Sequence, residues 1–334
     1  MTEAPVARPI PQGTIGRQVT AAAPACVGNV AVGFDFLGHS IKGPEDRATV
    51  QIIPELTARI GAIRGAGMHI PHAAKRNTAG AALQSLRAAL GLPFGFEVEL
   101  DKGIPFAAGM GGSAASCVAA LVAANSLLDK QVSLDMLYQC ALDGESLASG
   151  ARNGDNVGPI LYGGLVIGTP ERVVPVPVPP GLHCVLVHPH FQLCTLRARR
   201  VLNRGYTLAE IVRQTENLSL LLSGCFCNDL ELLRAGLSDC LIEPRRAKLI
   251  PGFAAVKRAA LDCGALGAGI SGAGPSVFAW FTDATEAGRA TPEMQLAFSR
   301  HGLANDAWIS PVAGPAARIV DGPGVHGNGL PASR

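Results

Sequence analysis

The stretch "IPFAAGMGGSAASCVAALVAANSLL" occupies Ile104–Leu128 of a 334-residue chain. A proline turn opens it, small residues follow, and the rest is apolar enough to be buried on most faces. It reads as a loop that leads into a core helix. The first turn of a helix leaves backbone N–H groups without partners, and the aligned peptide dipoles add partial positive charge there. Glycines let a ligand approach those groups, so Gly109, Gly111 and Gly112, with the Ser113 hydroxyl, form a candidate phosphate site. A buried helix behind the loop would hold that dipole in place. On the loop alone, an ordinary glycine-rich turn is equally open. Neither G-x-x-x-x-G-K-[ST] nor G-x-G-x-x-G occurs in this loop, so a nucleotide loop here belongs to another class.

Bulk properties narrow the field. Hydrophobic residues make up 48% and charged residues 16%, which is ample for a core. Lys and Arg total 28 against 26 Asp and Glu, a net charge of +2, so no nucleic-acid footprint is expected. The nine cysteines are mostly scattered singly among apolar residues, and only Cys225 and Cys227 are close. Buried free thiols in a reducing compartment are expected. The N-terminal residues carry no run of signal-peptide length, and no stretch reads as a membrane span. A soluble cytoplasmic protein with no membrane partner is the expectation.

Outward from the opening stretch, strands are expected at Arg17–Ala22, Ala48–Ile53, Phe94–Leu100, Leu165–Gly168 and Arg172–Val178. Helices are expected at Thr78–Leu90 and Ser133–Gly144, and Asn153–Gly164 reads as a loop. The proline-rich Pro175–Gly181 suggests a domain boundary. Beyond it, Cys184–His188 reads as a strand, and Leu208–Leu222, Asp229–Ala235 and Gly252–Cys263 as helices. A glycine-rich turn from Gly267 feeds a strand at Ser276–Phe281, followed by a helix at Thr285–His301 and a last strand at Ala317–Val320. The irregular alternation favours α+β. The expected division is a flexible N-terminus over 1–16, a first domain over 17–178, a second over 179–320 and a disordered tail over 321–334.

The segment "PFAAGMGGSAAS" resembles the phosphate loop of the GHMP kinases, P-x-x-x-G-L-G-S-S-A-A. Two further segments resemble that family's other motifs: "APACVGNVAVGFDFLG" at Ala23–Gly38 and "GAGISGAGPSVFAW" at Gly267–Trp280. The order and spread of the three make chance agreement a poor explanation. Four features are similar to the homoserine kinase branch: N-x-x-x-G-F-D with Asn29 and Asp35, "SGARNGDNVGPILYGG", "CTLRARRVL" and "IEPRRAKLIPGF". The resemblance spans about residues 18–320.

What the resemblance implies is concrete. The fold would be a GHMP kinase-like two-lobe α+β fold, with a ribosomal-protein-like N-terminal lobe and a ferredoxin-like C-terminal lobe. The activity would be ATP- and magnesium-dependent phosphorylation of the L-homoserine hydroxyl, on the route to threonine. Alternatives are the same chemistry on another small hydroxy acid, or a non-catalytic binding protein. ATP would be held by Asn77, Lys102, Pro105, Phe106, Ala107, Ala108, Gly109, Met110, Gly111, Gly112, Ser113, Ala114 and Ala115. Magnesium would take Ser113 and Glu145 as hard oxygen ligands. The substrate carboxylate wants arginine, here Arg199 and Arg246, and its ammonium wants Asp35. Asn156 with Asn29 would position the hydroxyl, and Asn153, Asp155, Thr195 and Gly272 complete the amino-acid site. Asp35, Asn156, Ser113 and Glu145 are the expected catalytic set, with Asp35 a ligand first and a base second. Two positions depart from the pattern: Gly112 replaces a serine, and Asn153 stands where a histidine is common. The family also admits a homodimer, whose interface the sequence does not mark.

Overall fold

The computed structural model describes residues 12–65, 70–203 and 205–322. The termini expected to be flexible lie mostly outside these residues.

The first lobe is built on a mixed sheet. Strand β1 (Gln18–Gly28) pairs antiparallel with β2 (Leu37–Ile53), β2 with β4 (Gly95–Asp101), and β3 (Ala58–Arg64) lies parallel to β4. Strand β5 (Leu165–Gly168) joins the start of β2, and β6 (Val173–Val176) joins β5. Alternation sets the faces: Phe96, Val98 and Leu100 of β4 are buried, while Glu97 and Glu99 between them reach partly exposed arginines.

Helices α1 (Thr78–Leu90), α2 (Gly112–Leu127), α3 (Leu134–Ser149) and α4 (Gly154–Tyr162) belong to this lobe. Helix α2 lies on β1 and β2 and is enclosed by the other three helices. Thirteen of its residues are buried, and its alanines let these neighbours approach. This is the apolar half of the opening stretch.

The second lobe runs β7 (His183–Pro189), α5 (Thr195–Arg200), α6 (Leu208–Cys227), α7 (Leu230–Gly236), α8 (Glu243–Arg246), α9 (Phe253–Asp262), β8 (Gly267–Ile270), β9 (Val277–Phe281), α10 (Ala284–Ser299) and β10 (Asn305–Pro311). Its four strands are all antiparallel in the order β10-β7-β9-β8. With α9 and α10 packed on the sheet, this is a ferredoxin-like β-α-β-β-α-β arrangement with further helices in its first crossover. Across the lobes, the buried His39 of β2 accepts from the Trp280 indole at 3.1 Å and donates from Nδ1 to Ser40 O at 3.0 Å. Burial lowers the His39 pKa to about 4, so the ring is neutral and both bonds persist at ordinary pH.

Several expectations change. Asn153–Gly164 is mostly helix α4, because its glycines serve packing. A Cβ on Gly154 would lie 2.1 Å from the Tyr138 hydroxyl, and one on Gly158 would lie 3.0 Å from Val166. Strands β3, β8 and β10 have no counterpart in the sequence expectations. Strand β8 is the "GAGI" that reads as turn, where a Cβ on Gly267 would meet Leu237 at 2.3 Å. The last strand, β11 (Arg318–Asp321), does not extend the second lobe. It pairs antiparallel with β1 in the first sheet, Ala22 facing Arg318. The cysteines are free thiols, but Cys194 and Cys227 are exposed.

Candidate active site

The phosphate loop is held from behind by its carbonyls. Ala107 O accepts from Leu193 N at 3.3 Å, Met110 O from Cys26 N at 3.1 Å, and Ala108 O from Ser276 N at 3.2 Å and its hydroxyl at 2.6 Å. Gly109 O accepts from the Ser271 hydroxyl at 2.7 Å. In a trans peptide the N–H points opposite to the carbonyl. The amides of Ala108, Gly109, Met110 and Gly111 therefore turn away from these partners. Positive φ at Ala107 (53°), Gly109 (72°) and Gly111 (70°) produces this folding. Gly111 is the N-cap of α2 and offers no side-chain cap, which leaves the first-turn amides of Gly112, Ser113 and Ala114 to a ligand. Ala115 N is used inside the helix, on Gly111 O at 2.8 Å. The side chains of Ala108, Met110, Ala114 and Ala115 are buried, so this stretch offers a ligand backbone and not side chains at these positions. Pro105 and Phe106 form the loop's outer side, and Phe106 is exposed.

Two expected ATP residues are engaged elsewhere. The Asn77 side chain caps α1, accepting from Ala79 N at 3.1 Å and Gly80 N at 3.4 Å, and donating to Pro71 O at 3.0 Å. Lys102 is buried beneath α2, paired with Asp46. Sequence reasoning missed Asp46, whose position in an ordinary strand gave no signal.

At the start of α2 the Ser113 hydroxyl donates to Glu145 Oε1 at 2.9 Å. Burial pushes the Glu145 carboxyl up to about 7; the Ser113 hydrogen bond opposes this and Asp155 adds to it. Asp155 is likewise raised to about 7 by burial, with the Asp35 charge adding and Arg199 opposing. A carboxyl raised on folding binds its proton more tightly in the native state. Stability is therefore fully present below the unfolded value, 4.5 for Glu145, and falls as pH rises to about 7. The melting temperature of the ligand-free protein should drop between roughly pH 5 and 8, and Glu145→Gln should flatten that slope. Parallel melting curves for the two proteins would contradict it.

The second half of the site is the loop Asn29–Phe36. Asn29, Val30, Ala31 and Asp35 all have positive φ, at 71°, 39°, 59° and 69°. Such backbone persists only when surrounding bonds enforce it, and it clusters at functional sites. The enforcing side chain is Asn29, which accepts from Asp35 N at 2.9 Å and donates to Gly272 O at 2.8 Å. It is buried and shapes the loop, its amide oxygen and nitrogen both engaged within the protein. Gly272 ties the motifs together: its N donates to Gly28 O at 3.0 Å, and its carbonyl also accepts from Arg246 at 3.0 Å.

Asp35 and Arg199 form a two-bond fork at 2.8 and 2.9 Å across the lobes, each side chain about 30% exposed. Arg199 and Arg246 stand 5.6 and 5.1 Å from the Phe34 ring centroid. Arg246 is buried, donates through Nε to Ala198 O at 3.1 Å, and is lowered to about 10 by burial and then by Arg199. It holds α5 to the Gly272 turn. Asp155 and Asn156 meet the end of β1: a Cβ on Gly28 would lie 2.6 Å from Asp155 Oδ2 and 2.9 Å from Asn156 Oδ1. Asn156 Oδ1 accepts from the Cys26 thiol at 3.2 Å. Thr195 is exposed at the start of α5. Among the described residues, Arg199 Nε and Asn153 Nδ2 are buried donors with no hydrogen-bond partner. The site thus joins a loop with outward-turned amides, a hydroxyl–carboxylate pair suited to a divalent cation, and a charge pair whose arginine keeps a spare Nε donor.

Comparison with known proteins places the chain in a family. The model for the GHMP kinases N terminal domain matches residues 77–164, and that for the GHMP kinases C terminal matches 217–300. The homoserine kinase of Xanthomonas campestris pv. campestris (strain B100) is 59% identical over 91% of this chain and 94% of its own length. That of Xylella fastidiosa (strain M12) is 55% identical over 91% and 94%. The crystal structure of homoserine kinase from Cytophaga hutchinsonii superposes with a TM-score of 0.88 at 36% identity, covering 94% of this chain and all of that one.

Proposed function

Since the chain belongs to the homoserine kinases of the GHMP kinase family, we propose that the cleft transfers the γ-phosphoryl group of ATP to the side-chain hydroxyl of L-homoserine. The products are O-phospho-L-homoserine and ADP, on the route to threonine in the cytoplasm. The carrying observation is the Asp35–Arg199 fork. An amino acid brings both a carboxylate and an ammonium. It exchanges one ion pair for two, its carboxylate taking Arg199 with the spare Nε donor and its ammonium taking Asp35. A sugar or a simple hydroxy acid offers only part of that exchange. Asp35 acts as a ligand, since its carboxylate passes from the Arg199 guanidinium to the substrate ammonium and stays paired with a cation throughout.

Phosphoryl transfer asks mainly for alignment and charge neutralisation. The amides of 108–114 bind the phosphates, and Asn156, beside Gly111, aligns the acceptor hydroxyl with them. Ser113 and Glu145 would hold magnesium: both are hard oxygen donors in contact, and a buried carboxyl raised to about 7 gains from a cation. The ion would neutralise phosphate charge. No helix among the described residues is long and apolar enough to cross a membrane.

The test is ADP release with ATP, magnesium and L-homoserine, beside serine, threonine, mevalonate, shikimate and galactose. Turnover with homoserine alone is expected. Preference for another acceptor would overturn the substrate and direct attention to Asn153.

A further inference from the structure

Lys102 stands at the entrance of the phosphate loop, the position of a residue that would reach for a nucleotide. Its surroundings assign it another task. An ammonium group has three N–H donors. Lys102 donates to Asp46, to Gly112 O at 2.7 Å and to the Ser116 hydroxyl at 2.6 Å. All three donors are used, and the side chain is only 7% exposed.

Asp46, on β2, is fully buried and equally occupied. Its Oδ1 accepts from Gly103 N at 3.1 Å and Ile104 N at 3.0 Å, and its Oδ2 accepts the Ser116 hydroxyl at 2.8 Å. One carboxylate therefore fastens β2, the exit of β4, the entry of the phosphate loop and the first turn of α2. Charge matters as well as geometry. A bare carboxylate here would oppose anion binding by the amides above it, and Lys102 cancels it. The bond to Gly112 O also fixes the peptide whose N–H side is the first-turn amide of Ser113.

We infer that Asp46 is a positioning residue for the phosphate loop, acting through Lys102, Ser116 and the amides of Gly103 and Ile104. Lys102 supports the loop from below and does not touch the nucleotide. The inference rests on the kinase reading of this cleft.

The experiment compares wild type, Lys102→Met, the double variant Asp46→Asn/Lys102→Met, and Ser116→Ala. Each is measured for KM of ATP, KM of L-homoserine and kcat, and for ADP affinity by calorimetry. Lys102→Met strands a buried anion under the loop, so ATP KM should rise about tenfold or more and ADP affinity should fall alike. Homoserine KM should stay within about twofold. In the double variant no charge remains, and the side-chain oxygen of the introduced asparagine can still accept both amides. ATP KM and ADP affinity should return to within about threefold of wild type. If Lys102 instead contacts phosphate, adding Asp46→Asn restores nothing, and that result overturns the inference. Should Lys102→Met fail to fold, the double variant is judged against wild type alone: within about threefold supports, a tenfold loss overturns. Ser116→Ala keeps both charges and should raise ATP KM about three- to tenfold with homoserine KM unchanged. Equal effects on both substrates, or none, would count against positioning. A wild type without homoserine turnover would defeat the kinase reading, while its ADP affinities would still test the brace.

Discussion

Arg199→Met is expected to raise the KM for L-homoserine by about 10²–10³ while leaving that for ATP within about twofold. The fork at 2.8 and 2.9 Å shows that this guanidinium already takes a carboxylate through two parallel bonds, and its Nε remains spare. Charge-assisted bonds of this kind contribute about 1.5–3 kcal/mol each. Methionine keeps the length and apolar stem, so packing changes little and the charge is what is lost. Asp35 also loses its partner and would hold the substrate ammonium without a matching site for the carboxylate. A homoserine analogue lacking the carboxylate should therefore discriminate little between variant and wild type. Equal rises in both KM values, or full activity, would remove Arg199 from the acceptor site.

Gly109→Ala should lower kcat/KM for ATP by about 10²-fold or more and lower the melting temperature as well. The added Cβ would lie 2.4 Å from Ser271 O and 2.6 Å from Gly274 O, in a backbone with φ of 72°. Both oxygens are main chain of the second lobe, so no side chain can swing away. The loop must move outward, and the bonds that hold Ala108 O and Gly109 O would break. Gly91 is the contrast. It also has positive φ, 57°, but nothing lies within 4 Å of a Cβ there, so Gly91→Ala should cost stability only and leave ATP KM unchanged. Comparable ATP kinetics for the two alanine variants would show that close approach to the second lobe does not set the loop.

What the sequence makes legible follows the reach of each signal. Helix α1 is marked by helical leucine spacing, a local signal, and its bounds match. Helix α2 and its glycine entry are equally plain. Helix α4 is not, because Gly154, Gly158 and Pro159 are turn signals whose packing reason lies in Tyr138 and Val166. The site divides the same way. Polar and charged side chains singled out in the sequence come together: Asp35 meets Arg199, and Ser113 meets Glu145. That Asp35 and Arg199 meet each other cannot be read, since 164 positions separate them. Lys102 and Asn77 read as ligands because residue type and place suit a nucleotide. In the structure their side chains are engaged by Asp46 and the α1 amides.

Strand β11 gives the chain an order of assembly. Among the described strands β1 is the earliest in the chain and β11 the latest, Thr20 meeting Asp321. A nascent chain has made six of the seven strands of the first sheet, and the whole second lobe, before that edge can be covered. Until β11 is made, β1 therefore presents open backbone donors and acceptors along that edge to whatever lies beside it. Strand β11 closes that edge, so the earliest strand of the sheet is the one completed last.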